Sequence, residues 1–198
     1  MSYVMIYLEE AQQIVEKLDR PATDKMVSEL SALRKAAGRL FFLSIGGGAA
    51  NATHAVNDFR KIAGIESYTP THNVSELSAR VNDEGWDSVF ANWLKGSRLS
   101  SRDGVFVFSV GGGNAEKNIS ANIVEALKYA KAVGAKIFGI VGRDGGFTGR
   151  VADVCVVIPT VNPQTVTPHT ESFQVVIWHL IVSHPHIQVH EMKWESIK

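Results

Sequence analysis

The stretch LFFLSIGGGAANATHAVNDF, residues 40–59, decides how the chain is read. An apolar run at 40–45 meets three glycines, Gly46, Gly47 and Gly48, and a segment of helical character follows. Apolar residues on consecutive positions describe a strand covered on both faces, as in a parallel sheet. A glycine turn between such a strand and a helix presents backbone N–H groups at the positive end of the helix dipole, which is a ready anion site. The pattern returns in VFVFSVGGGNAEKNI, residues 105–119, where Ser109 leads the turn as Ser44 leads the first.

Neither turn carries a nucleotide signature. A Walker A loop needs Lys then Ser or Thr after its last glycine, and a dinucleotide fingerprint needs Gly-x-Gly-x-x-Gly. The first turn offers Gly46, Gly48 and then Asn51, and the second Gly111, Gly113 and then Glu116. No nucleotide cofactor is expected.

Working outward, apolar runs recur at 40–45, 105–110, 136–141 (KIFGIV) and 154–159 (VCVVIP). Between them lie helix-like segments at 51–63, 75–94 and 115–134, and a last one, ESFQVVIWHLIVSH at 171–184, follows a loop rich in Pro and Thr. Strands alternating with helices imply an α/β three-layer fold with right-handed crossovers. Upstream, Val4, Leu8, Ala11, Ile14, Val15 and Leu18 recur at helical spacing, with Glu9, Glu10, Glu16 and Lys17 off that stripe. Pro21 is expected to end this helix, and a second, carrying Met26, Leu30, Leu33 and Ala37, is expected to stop at Gly38. The polar tail at 185–198, with Trp194, reads as peripheral.

Composition narrows the functional classes. The 198 residues suit one domain, with helices at 1–37 packed on it or on a subunit interface and an α/β core at 38–184. Net charge is +0, so bulk electrostatics favours neither nucleic acid nor an anionic membrane surface. One cysteine, Cys155, leaves no disulfide framework, and no basic leader or long apolar run precedes the core. A cytoplasmic setting is expected.

The titratable residues cluster by spacing. His54 and Asp58, four apart, share one face of the helix after the first turn. Glu171 and His179, eight apart, lie within about a quarter turn of each other on the last helix. Facing each other, the helices would supply either a two-histidine, two-carboxylate site for a divalent metal such as zinc, or a general base and a general acid. His72 and His169 fall in loops near the expected ligand end.

With these residues in view, the chain resembles the sugar isomerase (SIS) domain proteins, and most closely the phosphoheptose isomerases. The likeness runs through GGGAANATH, VSELSARVNDEGWDSVF, the serine-led second turn, VGRDGG, VADVCVVIP and the last helix with its histidine. It implies a five-stranded parallel sheet of doubly wound, flavodoxin-like order, and a homotetramer with active sites between subunits. It implies aldose–ketose isomerisation of a sugar phosphate, with Asp58 as base and His179 as acid, and zinc held by His54, Asp58, Glu171 and His179. Substrate contacts would fall on Gly46, Gly47, Gly48, Asn51, Asn73 and Glu171, and the phosphate on Ser109 and the backbone of Gly111, Gly112, Gly113 and Asn114. The sequence departs from the family pattern at Ile45 (usually Asn), Gly48 (usually Ser), Asp58 (usually Glu), Asn73 (usually Asp) and Glu171 (usually Gln), and glycines replace hydroxyls in the second turn. Those departures keep a second reading open, a non-catalytic SIS protein that binds a sugar phosphate or a partner as a regulator.

Overall fold

The computed structural model describes residues 1–192; residues 193–198, Trp194 among them, lie outside the described residues. Five strands form one parallel sheet in the order β2-β1-β3-β4-β5. They are β1 Leu40–Leu43, β2 Ser67–Tyr68, β3 Gly104–Ser109, β4 Lys136–Val141 and β5 Val154–Val157. The chain begins at β1, steps outward to β2, then returns to lay β3 on the other side. Ligands of open α/β sheets bind at the carboxyl ends of the strands flanking such a reversal. Both glycine turns stand there, one after β1 and one after β3.

Alternation along the strands divides the core into two layers. Phe42, Phe106, Phe108, Phe138 and Ile140 face α2 (Arg20–Lys35), α3 (Gly47–Lys61) and α8 (Val166–Ser183). Phe41, Leu43, Val105, Val107 and Ile137 face α5 (Val89–Gly96) and α6 (Ala121–Ala132). Full burial of each such side chain contributes about 1.5–3 kcal/mol. At the amino-terminal ends of the strands Arg39 holds β1 against β3: its guanidinium donates to both oxygens of the buried Asp103, at 3.1 and 2.8 Å, and to the carbonyls of Ser97 and Arg98.

Several elements differ from the sequence reading. Strand β2 escaped it because two residues cannot show a period, and Ser67 turns its hydroxyl to the Ile65 carbonyl. Helix α7 (Gly146–Val151) opens on glycine and is too short to display a stripe. The segment at 75–94 is two helices, α4 (Val74–Glu84) and α5, parted where Gly85 adopts φ 85°. Residues 115–118 form a turn closed by the Asn114–Ile119 bridge, so α6 starts only at Ala121. Pro21 does not end α1 (Tyr3–Lys17); it sits in the first turn of α2 behind the Asp19 cap, where a missing N–H costs nothing. Ala37, at φ 54°, makes the left-handed exit from α2, and Gly38 is required for another reason: a Cβ there would lie 2.1 Å from the Arg102 carbonyl.

Helix α1 divides its apolar stripe: Ala11, Ile14 and Leu18 pack on the core, whereas Val4, Leu8 and Val15 are exposed, as are Tyr3, Met5 and Ile6. Its buried residues are Ile14 and Glu10. The Glu10 carboxylate accepts from Asn162 Nδ2 (2.6 Å) and Thr165 Oγ1 (2.7 Å), and lies 2.9 Å from His169 Nε2, whose ring stacks on Tyr7 at 4.2 Å. A buried carboxylate needs this degree of satisfaction. His169 is thus a buried structural residue and not a loop group facing a ligand. The tail is also corrected: Ile187 is fully buried, and the Arg34 guanidinium donates to the His186 and Ile187 carbonyls.

Hydrogen bonds from Asn162, Thr165 and His169 hold the Glu10 carboxyl below its ordinary value of 4.5. The stabilisation is therefore complete above pH 4.5 and is lost as the pH falls through the lowered folded value. Below that range, or in Glu10→Ala at neutral pH, amide hydrogen exchange should accelerate in α1 and the first turn of α8 while the β3 amides stay protected.

Candidate active site

The three glycines of the first turn answer to three different constraints. Gly46 caps α3 with φ 64° and ψ −134°, and a Cβ there would meet nothing within 4 Å, so conformation alone requires it. A Cβ on Gly47 would lie 2.6 Å from a carboxylate oxygen of Glu171. One on Gly48 would lie 2.3 Å from Ser44 Oγ, which donates to the Phe108 carbonyl at 2.6 Å and ties the end of β1 to the end of β3.

With no side chains in the way, α3 starts against α8. Asn51 Nδ2 donates to the Glu171 carbonyl (2.9 Å) and to Gln174 Oε1 (3.1 Å). The fully buried Gln174 in turn donates to the Ile140 carbonyl, so α3, α8 and β4 are joined through one amide. Two turns further along, the same pair of helices brings three titratable side chains together. Asp58 Oδ2 lies 3.7 Å from His54 Nε2 and 3.5 Å from His179 Nε2. One ligand atom from each residue lies within 4.8 Å of the other two. Asp58 is buried, and its second oxygen accepts from Asn57 Nδ2 at 2.9 Å. The fully buried Trp178 packs edge-on against the His54 ring at 4.7 Å, which supports that imidazole. Burial lowers the pKa of His179, and the neighbouring His54 adds to the effect while Asp58 opposes it. The imidazole is thus neutral, as a ligand must be, to lower pH than a free histidine at about 6.5.

These residues line a cleft of about 610 Å³ with Lys61, Leu180 and Met192. Two imidazole nitrogens and one carboxylate oxygen, with an open side toward a cleft, could hold a metal ion. Glu171 is not with them. Eight residues of helix carry it about 12 Å along the axis from His179, and it lines a second cleft of about 190 Å³ with Ser44, Gly48, Ser109 and Gln174. The spacing argument was right about angle and silent about translation, so the expected four-residue set contracts to three.

The other expected contacts scatter. Asn73 caps α4, accepting from the Glu76 N–H at 3.1 Å, and like His72 it is exposed. Ile45 and Gly48 line the Glu171 cleft, as does Ser109, whose hydroxyl also accepts from the Gly112 N–H at 3.0 Å. Gly111, Gly113 and Asn114 line a further cleft of about 330 Å³ on the far side of the second turn. Sequence reasoning passed over Lys61, although a residue three past Asp58 shares its helix face, and it passed over Gln174, three past Glu171.

A parallel five-stranded sheet with two glycine turns at its reversal, over a histidine–carboxylate group, is the architecture of a sugar isomerase domain. No family model matches the chain. The phosphoheptose isomerase of Geobacter sulfurreducens is 30% identical over 182 residues, 88% of this chain and 90% of that one. The lincomycin biosynthesis protein LmbN of Streptomyces lincolnensis is 33% identical over 150 residues, 70% of this chain, and the match spans about half of that longer relative, 53%. Among solved structures, the phosphoheptose isomerase of Neisseria gonorrhoeae superposes with a TM-score of 0.77 at 24% identity, over 90% of this chain and 94% of that one. The chain belongs to the phosphoheptose isomerase family.

Metal analysis after incubation with zinc should find the ion in the unmodified protein. Asp58→Asn and His179→Ala should weaken zinc binding by at least about tenfold, whereas Glu171→Gln should retain it.

Proposed function

We propose that the protein interconverts sedoheptulose 7-phosphate and an aldoheptose 7-phosphate through an enediol(ate). The observation that supports the reading most is the buried Asp58 carboxylate with an imidazole on each side at 3.5 and 3.7 Å. Asp58 takes the proton from C1 of the ketose, beside the C2 carbonyl. It is buried between the two imidazoles, within reach of a substrate in the cleft. His179 delivers a proton to C2, which completes the aldose, and the hydroxyl protons exchange between the oxygens of the enediol. In a metal-loaded form His54, Asp58 and His179 would instead hold a divalent ion, which would polarise the carbonyl and stabilise the enediolate oxygen in place of that proton relay. Ser109 and the backbone of the second turn hold the phosphate, and the glycines of the first turn let the sugar approach the backbone.

The homotetramer with active sites between subunits belongs to the same reading. Eleven residues of α3 separate Gly47 from Asp58, about 16 Å of helix, so one chain's glycine turn and its own histidine–carboxylate group stand far apart for a single sugar phosphate. A second copy closes that distance. The exposed stripe of Tyr3, Val4, Leu8 and Val15 on α1 offers apolar surface for such packing.

Isomerisation of seven-, six- and five-carbon ketose phosphates followed by NMR tests the activity. Asp58→Asn and His179→Ala should each lower the rate by about 10²–10⁴. A folded protein that binds the sugar phosphates but turns over none of them would establish the regulatory reading instead. Light scattering on the eluting protein should give four chains, and a monomer that is fully active would refute the shared site.

A further inference from the structure

Helix α8 buries one side of itself, and Trp178 lies on that side with Phe173, Gln174, Ile177, Ile181 and Val182. These positions recur at helical spacing, so a large core residue is expected at 178. An indole carries a drawback there. Trp178 is fully buried, yet its Nε1–H donates to no group among the described residues. A buried tryptophan ordinarily finds a partner for this donor, and an orphaned one lowers stability. Phenylalanine, leucine or methionine would fill a core position without leaving a donor unmet.

What distinguishes position 178 is its place beside the histidine–carboxylate group. The indole meets the His54 ring at 4.7 Å between centroids, with the planes at 68°, and the His179 ring at 3.5 Å. The two imidazoles are themselves 5.4 Å apart at 81°, so three rings meet at one corner. Polar contact with Asp58 does not fix His54. Its Nε2 stands 3.7 Å from Asp58 Oδ2, beyond hydrogen-bond range, and the other oxygen of Asp58 accepts from Asn57 Nδ2 at 2.9 Å. The His54 side chain is 57% exposed, so close packing does not enclose it either. His179 belongs to the same helix as Trp178, whereas His54 is brought from α3, and the indole is the ring it rests on.

We infer that Trp178 is a positioning residue for the histidine–carboxylate group: its indole holds the His54 imidazole in the rotamer that keeps Nε2 beside Asp58 Oδ2. Its effect on turnover rests on the isomerase reading above, whereas its hold on His54 does not. An aromatic ring restrains an imidazole laid against it without supplying a competing acceptor, which leaves Nε2 free for a substrate oxygen or a metal ion. Groups behind a ligand set its orientation, and their removal lowers metal affinity or activity by about 10- to 100-fold. The orphaned indole N–H is then stability given up for an oriented imidazole.

The test uses the full chain, with zinc as a probe of the ligand set and sedoheptulose 7-phosphate as the substrate. Zinc-free crystal structures, zinc Kd, kcat, KM and melting temperature are compared for the unmodified protein, Trp178→Leu and Trp178→Phe. Trp178→Met serves if Trp178→Leu fails to fold, because a thioether chain adapts to an irregular space. In Trp178→Leu, His54 should leave Asp58 or occupy two rotamers, zinc Kd should rise and kcat fall by about tenfold or more, and KM should change less than kcat. Trp178→Phe, which keeps an aromatic ring and removes the orphaned N–H, should recover part of both. A core-filling role alone would lower the melting temperature and leave His54 beside Asp58, with zinc Kd and kcat unchanged; that result would overturn the assignment. So would a displaced His54 with zinc Kd and kcat unchanged. Zinc affinity that falls in Trp178→Leu, in a protein that isomerises no sugar phosphate, would support the positioning role and refute the isomerase. A fall in kcat with His54 displaced, in a protein that binds no zinc, would support the positioning role through turnover. An unmodified protein that neither binds zinc nor isomerises any sugar phosphate would overturn both.

Discussion

The structure depends on how closely α3 can leave the sheet. At Gly47 and Gly48 a side chain would run into the Glu171 carboxylate and the Ser44 hydroxyl. Without that clearance α3 could not start against α8, Asn51 could not reach Gln174, and His54 and Asp58 would not come within 4 Å of His179. The glycines of the first turn are thus less a cradle for an anion than the condition for assembling the group two turns away. The Glu171 carboxylate beside Gly47 makes that position unfavourable for a phosphate dianion.

A second close approach governs the other turn. Gly112 and Gly145, and Gly111 and Gly146, meet backbone to backbone. The two similar motifs therefore serve different ends. The first sets helix against helix; the second locks a loop to α7, with Lys117 and Arg143 in the cleft beside it. An isomerase of phosphosugars needs both an acid–base pair away from water and a charged anchor for the part of the substrate that does not react. The fold holds the histidine–carboxylate group and the second turn apart, one between α3 and α8 and the other after β3.

Polar burial contributes to the same division. Glu10, the one acid of α1 that turns inward, fastens the loop before α8 and the start of that helix. Gln174 does the same from within the core. Each is an amide or carboxylate with every partner supplied by another element, which fixes register along α8 in a way that apolar packing alone would not.

Consecutive apolar residues at 40–45, 105–110, 136–141 and 154–159, each with helix-like sequence after it, were enough to define a parallel α/β sheet, because strands buried on both faces have no other composition. Spacing was enough to place His54 with Asp58 on one face, because four residues are nearly one helical turn. Strand β2 and helix α7 were not legible, being shorter than the period that would reveal them. Nor was the inward turn of Glu10, which follows from partners 152 to 159 residues away. The expected metal set lost Glu171 because periodicity records direction around a helix and not distance along it. Which residues share a face is thus a property of the sequence alone, whereas which faces meet, at what height and with what charge beside them was decided by the tertiary structure, through the few positions where backbones come too close for a side chain.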